Sequence, residues 1–231
     1  MTTSCLKSFG ALVENNNYKE YRIASGVTYL PCTYLIEGDA SGASYIWGLA
    51  AVTGGRARIY NIPHDSLQGD AKFFNILETM NCVVEKGSDE ISDWVEVVGP
   101  KSLKACAVDM NSMPDTAQTL SCIASFAEGE SSITGLETLK VKETDRLVAL
   151  KTELGKLGIE SEIGQDFIKV KGGEAKPASI ETYHDHRMAM SFALFGSKIP
   201  EVEILDPQVV SKSFPNFWEV LQNAGITVQE V

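Results

Sequence analysis

Residues 132–171, SITGLETLKVKETDRLVALKTELGKLGIESEIGQDFIKVK, carry the pattern that decides the fold of this chain. The elements predicted from it are a strand at 132–134, a helix at 142–157 closed by Gly158, and two short strands near 160–163 and 167–171. The helix has one apolar face, which is made by Leu147, Leu150, Leu154 and Leu157. Strands that flank an amphipathic helix indicate a unit in which the helix packs on a sheet.

The same order of elements recurs on both sides of this segment. One copy runs from about residue 33 to 98, the central copy begins near Ala105, and a third begins near Ser179 and runs out of chain. Residues before 33 resemble the tail of a fourth copy. We therefore predict an α/β (α+β) protein of repeated βαβαββ units. An array that opens and closes inside a repeat predicts a fragment, or one half of a larger protein, truncated at the N-terminus.

The helices and strands predicted outside the central segment follow from the same patterns. Predicted helices lie at about 6–12, 40–52, 69–81, 114–128, 185–195 and 214–223. A strand is predicted at 34–36, where Tyr34, Leu35 and Ile36 are consecutive.

Composition excludes several classes of protein. The chain has 231 residues and a formal net charge of −11, which argues against a nucleic acid partner because binding to phosphate backbones needs a basic face. No apolar run is long enough to span a bilayer, and the N-terminus lacks the features of a signal peptide, so we expect a cytoplasmic protein without membrane contact. The five cysteines form no CxxC pair and the three histidines complete no ligand spacing, so we expect buried, reduced thiols and no metal.

Cations occur at predicted helix starts, where they do not favour folding. Lys142 and Arg146 are four residues apart, Arg187 follows Asp185-His186, and Lys212 precedes an apolar helix. A cation in the first turn is unfavourable by ~0.3–1 kcal/mol because of the helix dipole. A bound anion would reverse that sign. The alternative for the first pair is a solvated face in which Glu143 and Asp145 neutralise the cations.

Two carboxylates complete the set of candidate residues. Asp115 follows Pro114 at a helix start and is either a simple N-terminal cap or a catalytic group. Glu143 lies between two cations and either balances their charge or transfers a proton. If both face one cleft, they offer a base and an acid.

Five segments, in this order, resemble the EPSP synthases (3-phosphoshikimate 1-carboxyvinyltransferases) along essentially the whole chain. They are EGDASGASY at 37–45, SLQGD at 66–70, KETDR at 142–146, YHDHRMAM at 183–190 and SKSFP at 211–215. The resemblance implies the enolpyruvyl transferase (inverse α/β barrel) fold, with two domains of three repeats and an active site between them. Residues 1–86 would be the end of the first, lower domain, and residues 87–231 most of the second, upper domain.

The resemblance also implies a reaction and the residues that perform it. The family joins phosphoenolpyruvate to the 5-hydroxyl of shikimate 3-phosphate and releases phosphate, without a cofactor or metal. By resemblance Asp115 is the general base and Glu143 the proton donor. The implied ligands of phosphoenolpyruvate are Arg146, Arg187, Lys212 and His186. The implied ligands of shikimate 3-phosphate are Lys142, Asp115, Ser41, Ser44 and Tyr45.

The sequence departs from the family pattern in ways that affect these expectations. Gly42 stands where many members have a phosphate-binding serine, and Thr138 where some have asparagine. The N-terminal half of the family, which supplies further substrate ligands, has no counterpart here. We therefore expect negligible transferase activity from this chain alone, and we expect the missing N-terminal half as a partner.

Other classes of protein remain possible on the sequence alone. UDP-N-acetylglucosamine enolpyruvyl transferase shares the fold and chemistry but uses a loop cysteine that is absent here. RNA 3′-terminal cyclases share the repeat, but the acidic balance disfavours them. A non-catalytic fragment or paralogue that kept the fold as a binding module is the alternative from a different functional class.

Overall fold

A computed structural model describes residues 1–230, which form two compact units, one of residues 1–37 and one that begins at Gly38. The first unit holds helix α1 (Thr2–Ser8) and an antiparallel hairpin of β1 (Val13–Asn16) and β2 (Glu20–Ile23). The helix predicted at 6–12 is replaced by α1, which ends at Ser8, because Gly10 with φ of 83° follows the end of this helix. The strand predicted at 34–36 is wrong. A strand needs a neighbour for its backbone hydrogen bonds, and β1 and β2 pair with each other.

The second unit contains the repeated α/β pattern. Its helices are α2 (Ala40–Thr53), α3 (Phe73–Thr79), α4 (Ala117–Ala124), α5 (Arg146–Lys156), α6 (His186–Gly196) and α7 (Phe217–Asn223). Its strands are β3 (Arg56–Tyr60), β4 (Val83–Ser88), β5 (Asp93–Val98), β6 (Leu103–Lys104), β7 (Ala107–Asp109), β8 (Ala127–Glu128), β9 (Glu130–Thr134), β10 (Ser161–Ile163), β11 (Ile168–Lys171), β12 (Ser179–Ile180) and β13 (Glu203–Ile204).

The strands form separate small sheets rather than one continuous sheet. The order β3-β5-β4 makes an antiparallel sheet, and β10-β11-β9-β7 makes a mixed sheet in which only β7 and β9 are parallel. The pairs β6-β8 and β12-β13 are short and parallel. The segment 132–171 therefore folds as predicted: β9, α5, β10 and β11 follow one another, and the three strands share a sheet.

Helices α2, α4 and α6 pack against each other at the centre of this unit. Most of α2 is buried, because its alanines, glycines and serines let neighbouring helices approach closely. At Gly48 a β-carbon would lie 3.1 Å from both Ile123 of α4 and Leu194 of α6. A larger residue would push the helices apart, so glycine sets their spacing.

Several helix ends differ from the sequence prediction. Helix α5 begins at Arg146 rather than at 142, since the Asp145 carboxylate accepts hydrogen bonds from the N–H groups of Leu147 and Val148. A 3₁₀ turn (Glu137–Val141) precedes it. The helices predicted at 69–81, 114–128 and 214–223 are likewise shorter, and short 3₁₀ turns occupy Gly69–Lys72, Pro114–Thr116 and Pro207–Lys212.

The domain boundary predicted between residues 86 and 87 lies inside strand β4. This strand pairs with β5 along its whole length, while the division between the two compact units lies after Glu37. The assignment of residues 1–86 and 87–231 to the lower and upper domains of the family stays a prediction. No helix within residues 1–230 is both long enough and apolar enough to cross a membrane.

Candidate active site

Among the cations predicted at helix starts, Arg146 is the most buried. It is the first residue of α5, its side chain is 1% exposed, and three carboxylates surround its guanidinium group. Its Nε donates to Asp185 at 2.7 Å, Nη1 to Asp115 at 3.2 Å and Nη2 to Glu143 at 2.8 Å. A buried arginine is stable only when its donors are satisfied in this way.

Asp185 is the fully buried anion that joins the starts of two helices. It is the N-cap of α6, where its carboxylate accepts the N–H of Arg187 at 2.8 Å, and it also accepts from Arg146 of α5. One side chain therefore satisfies the helix terminus and balances the buried guanidinium. Asp185 was predicted at a helix start, but its role as a counter-ion was not predicted from the sequence.

Arg187 approaches Asp115 from the other side. Its Nη2 donates to the Asp115 carboxylate at 3.2 Å, and its Nη1 to the Asp115 carbonyl oxygen at 3.2 Å and to the Tyr45 hydroxyl at 3.4 Å. Lys142 lies 3.1 Å from the same carboxylate. Asp115 therefore contacts three cations. Within residues 1–230, two of them, Lys142 and Arg187, form an ion pair with no other carboxylate.

Glu143 forms the second acidic centre of the cluster. One carboxylate oxygen accepts from Arg146, and the other lies 2.5 Å from the Nζ of Lys212. Lys212 is the last residue of a 3₁₀ turn and is largely exposed. The chain thus brings together Lys142, Arg146, Arg187 and Lys212, which lie up to 70 residues apart in sequence.

The two carboxylates have lowered pKa values for different reasons. Burial raises the pKa of Asp115, but the attraction of Arg187, Lys142 and Arg146 outweighs burial and lowers the pKa overall. The hydrogen bond from Lys212 is the main cause that lowers the pKa of Glu143 to about 2. Both groups are therefore ionised at neutral pH while these contacts hold.

Tyr45 and Ser41 of α2 lie beside the cluster. Tyr45 is buried against Phe217, and its burial raises the pKa of the hydroxyl above its ordinary value, so the hydroxyl is neutral. The hydroxyl of Ser41 donates to Asp70, whose pKa is raised chiefly by burial and which feels the charges of Arg187 and Asp115. The sequence analysis did not single out Asp70 as a site residue, although the SLQGD segment contains it.

Ser44 lies away from the cations, in the contact between helices. Its hydroxyl donates to the carbonyl oxygen of Ser41 at 2.7 Å and lies 3.3 Å from the hydroxyl of Thr119, and Thr119 lies 3.3 Å from the hydroxyl of Ser191. These fully buried hydroxyls connect α2, α4 and α6. The predicted role of Ser44 as a phosphate ligand stays a prediction, and its hydroxyl serves helix packing in this structure.

His186 is the first residue of α6 and is largely buried. Burial lowers its pKa, so the ring is neutral at pH 7, although it feels the charges of Asp185, Arg187 and Lys212. Its Nδ1 has no hydrogen-bond partner within residues 1–230 and lies 3.8 Å from Asp185. A neutral ring next to Glu143 and Lys212 can accept or donate one hydrogen bond to a ligand.

Only two of the four cations lie at helix starts. Arg146 and Arg187 are in the first turns of α5 and α6, whose N–H groups donate to the capping carboxylates of Asp145 and Asp185. Lys142 instead follows a 3₁₀ turn, and Lys212 is the last residue of another. Their side chains therefore reach the cluster from positions that are not at the start of an α-helix. In the described part of the chain no His, Cys, Asp and Glu side chains form a group of three that could hold a metal.

Four cations that share two accessible carboxylates can attract a small, highly charged anion. The chain as a whole has a net charge of −11, so a cluster of four cations contrasts with its acidic average composition. Phosphate and carboxylate groups match the two-pronged donors of arginine. Asp115 and Glu143 lie where they could exchange protons with a ligand held by the same cations.

Solved structures identify the class of protein to which this fold belongs. An EPSP synthase from Acinetobacter baumannii superposes with a TM-score of 0.84 at 25% sequence identity, covering 97% of this chain and 54% of that chain. The enolpyruvyl transferase NikO from Streptomyces tendae superposes with a TM-score of 0.73 at 17% identity and shows the likeness of the fold alone. The fold is therefore that of the enolpyruvyl transferases.

Sequence comparisons define the family within this class. The family model for EPSP synthase (3-phosphoshikimate 1-carboxyvinyltransferase) matches residues 1–221, and the chain belongs to this family. It is 44% identical over 218 residues to the 3-phosphoshikimate 1-carboxyvinyltransferase of Nostoc punctiforme, covering 94% of this chain and 50% of that protein. It is 42% identical over 223 residues to that of Escherichia coli, covering 96% of this chain and 51% of that protein. The chain spans about half the length of the curated relatives it matches.

Proposed function

We propose that this chain is the C-terminal half of a 3-phosphoshikimate 1-carboxyvinyltransferase and supplies its phosphoenolpyruvate clamp and both proton-transfer carboxylates. The observation that carries the proposal is the position of Arg146, which donates to Asp115 and Glu143 at once. The same guanidinium can therefore hold an anion between the two groups that must move protons.

Each of the four cations and two carboxylates has a role in this proposal. Arg146, Arg187 and Lys212, with the ring of His186, hold the phosphate and carboxylate of phosphoenolpyruvate. Lys142, Asp115 and Tyr45 face shikimate 3-phosphate, and the Ser41 segment approaches its phosphate. The roles of these residues rest on the family resemblance and on their proximity in the cluster.

The reaction needs two proton transfers in each of its steps. Asp115 takes the proton of the 5-hydroxyl as that oxygen attacks C2 of phosphoenolpyruvate, and Glu143 gives a proton to the methylene carbon. The tetrahedral intermediate then breaks its bond to phosphate: the Glu143 carboxylate takes a proton from the methyl group as the double bond re-forms, and Asp115 gives its proton to the departing phosphate. Charge on the departing phosphate is stabilised by the cations.

Glu143 cannot donate a proton at neutral pH in the arrangement described here. Its pKa of about 2 depends mainly on the hydrogen bond from Lys212, then on a backbone hydrogen bond and on the charge of Arg146. An anion that draws Lys212 and Arg146 to itself weakens the main cause of the low pKa, and burial then raises it. Substrate binding would thus turn Glu143 into an acid only when there is a substrate to protonate.

The missing N-terminal half is the proposed partner. The chain spans half the length of its relatives, so the remaining ligands of shikimate 3-phosphate and phosphoenolpyruvate would come from that half. The chain is proposed to act in the cytoplasm, where its five cysteines, all free thiols, would remain reduced.

Calorimetric titration with phosphoenolpyruvate tests the clamp directly. We expect the chain alone to bind it weakly, with an affinity that falls as salt is raised, and Arg187→Ala to abolish the heat of binding. Arg56→Ala is the matched control, since Arg56 is exposed and pairs with Glu96 on β5. The chain by itself should release no phosphate when both substrates are present. Phosphate release should appear once the N-terminal half is added. Absence of both binding and complementation would indicate a non-catalytic module.

A further inference from the structure

Glu153 is a buried carboxylate of α5 to which the proposed reaction assigns no role. It has no exposed surface, and both of its oxygens are paired. The hydroxyl of Tyr183 donates to Oε1 at 2.6 Å, and the N–H of Glu181 donates to Oε2 at 3.0 Å. Lys156 lies 2.8 Å from Oε2 and keeps its ammonium group partly in solvent. Both hydrogen bonds go to one segment, the one that leads into α6.

This segment contains an unusual turn. Tyr183 and His184 have φ angles of 54° and 55°, in the left-handed region that side chains other than glycine rarely adopt. Two such residues in succession persist only when surrounding contacts hold them. Glu153 supplies two contacts here, one at the backbone N–H of Glu181, which precedes the turn, and one at the side chain of Tyr183, its first left-handed residue.

The turn leads directly into the residues of the cluster. Asp185 follows His184, caps α6 and accepts from Arg146, and Arg187 follows one residue later. A change of φ at 183 or 184 would therefore rotate the start of α6 and move the Arg187 guanidinium from Asp115.

Helix α5 holds this segment at two separate points. Arg146 at its first residue contacts Asp185, and Glu153, seven residues or about 10 Å along the helix, contacts Tyr183. The body of α6 is held by its packing against α2 and α4. These two contacts with α5 act on the segment before it and on its first turn, from which Arg187 projects.

We propose that Glu153, acting through Tyr183, is a positioning residue that holds the left-handed turn closed and thereby keeps Arg187 in anion-binding geometry. This proposal rests on the proposed function, since it concerns the same anion site. Burial, followed by the neighbouring Glu153 carboxylate, raises the pKa of Tyr183 to about 12, so the phenol remains a donor across the neutral range.

Tyr183→Phe is the sharpest test, because it removes one hydroxyl and no packing. We expect phosphoenolpyruvate to bind about three- to tenfold more weakly, because a hydrogen bond to a charged acceptor is among the strong ones. The Arg187 Nε–H signal in a ¹H–¹⁵N spectrum of the ligand-free chain should shift or broaden. Tyr60→Phe is the matched control, since Tyr60 also donates to a carboxylate, Asp89 at 3.2 Å, but on an exposed strand end.

A pair of substitutions at Glu153 separates positioning from general stability. Glu153→Gln keeps one acceptor for the Glu181 N–H and an amide that can donate to the Tyr183 oxygen, so affinity should stay within about twofold of the parent chain. Glu153→Ala removes both contacts and should match or exceed the loss of Tyr183→Phe. Tyr183→Phe carries the test if Glu153→Ala fails to fold.

The results distinguish this proposal from the proposed function. If Tyr183→Phe lowers the melting temperature yet leaves both the affinity and the Arg187 signal unchanged, Glu153 has only a structural role and the proposal is overturned. If the parent chain neither binds phosphoenolpyruvate nor releases phosphate with the N-terminal half added, the proposed function fails. The Arg187 signal of the ligand-free variant then decides: a changed signal supports positioning, and an unchanged one overturns it.

Discussion

The cluster at the starts of α5 and α6 and the β10–β11 hairpin contain ion pairs of similar length in opposite surroundings. Arg146 and Glu143 are 2.8 Å apart, and Lys169 and Glu162, opposite each other on the hairpin, are 3.1 Å apart. The Arg146 side chain is 1% exposed, whereas those of Lys169 and Glu162 are 37% and 62% exposed. The distance between nitrogen and oxygen therefore does not determine how much each pair stabilises the fold. Burial of the pair, and the number of carboxylates that share one cation, determine it.

The largest effect is expected at Arg146. Arg146→Ala leaves the fully buried Asp185 without its counter-ion, and removal of one partner from a buried pair costs about 3–5 kcal/mol. Urea denaturation at pH 7 measures the loss. In the Arg146→Ala background, Asp185→Asn should recover part of it, because the neutral side chain still caps α6. If the stability lost by the double variant equals the sum of the losses of the two single variants, Arg146 and Asp185 are not coupled.

An intermediate effect is expected at Lys212, on the exposed rim of the cluster. Lys212→Met removes the hydrogen bond that chiefly lowers the pKa of Glu143, so this pKa should rise from about 2 toward the ordinary glutamate value of about 4.3. A depressed pKa contributes stability that is present above about pH 4.5 and is lost as pH falls toward 2. The variant should therefore lose less stability than the parent chain over that window. A ¹³C titration of the Glu143 carboxyl measures the shift, and an unchanged pKa would contradict the assigned cause.

The smallest effect is expected on the hairpin. Lys169→Ala removes a solvated pair that salt already screens, so the urea midpoint should stay within experimental scatter at both low and high salt. A clear fall in the urea midpoint of Lys169→Ala would contradict this expectation, because an exposed pair would then stabilise the fold as much as a buried one.

The sequence predicted the local features of the site better than its long-range ones. Asp185 was correctly placed at the start of a helix. The spacing of Lys142 and Arg146 indicated one helix face, which is wrong, because Lys142 lies before α5 and follows a 3₁₀ turn. Periodicity relates only residues close in sequence, so it could not show that Asp115 lies within 3.2 Å of Arg146 and Arg187. Charge at the predicted helix starts and the resemblance to a family together supplied the list of candidates, and the folded chain shows which of them share one cluster.

The features that sequence reasoning missed share a physical cause. Asp185 looks the same in sequence whether it is a simple cap or also a counter-ion, and Glu153 looks like an ordinary residue of an amphipathic helix. Their roles come from burial, which is a property of tertiary packing. The wrong strand at 34–36 has a related cause, because an apolar run indicates a strand only where a neighbouring strand can pair with it.

The absence of a side chain at Gly48 links the evolution of three helices. A β-carbon there would approach the terminal carbons of Ile123 and Leu194, which are the ends of flexible side chains rather than backbone. Alanine at this position would require both side chains to shift by a few tenths of an ångström. Shortening Ile123 and Leu194 together would make room for it, so these three positions on three helices constrain one another.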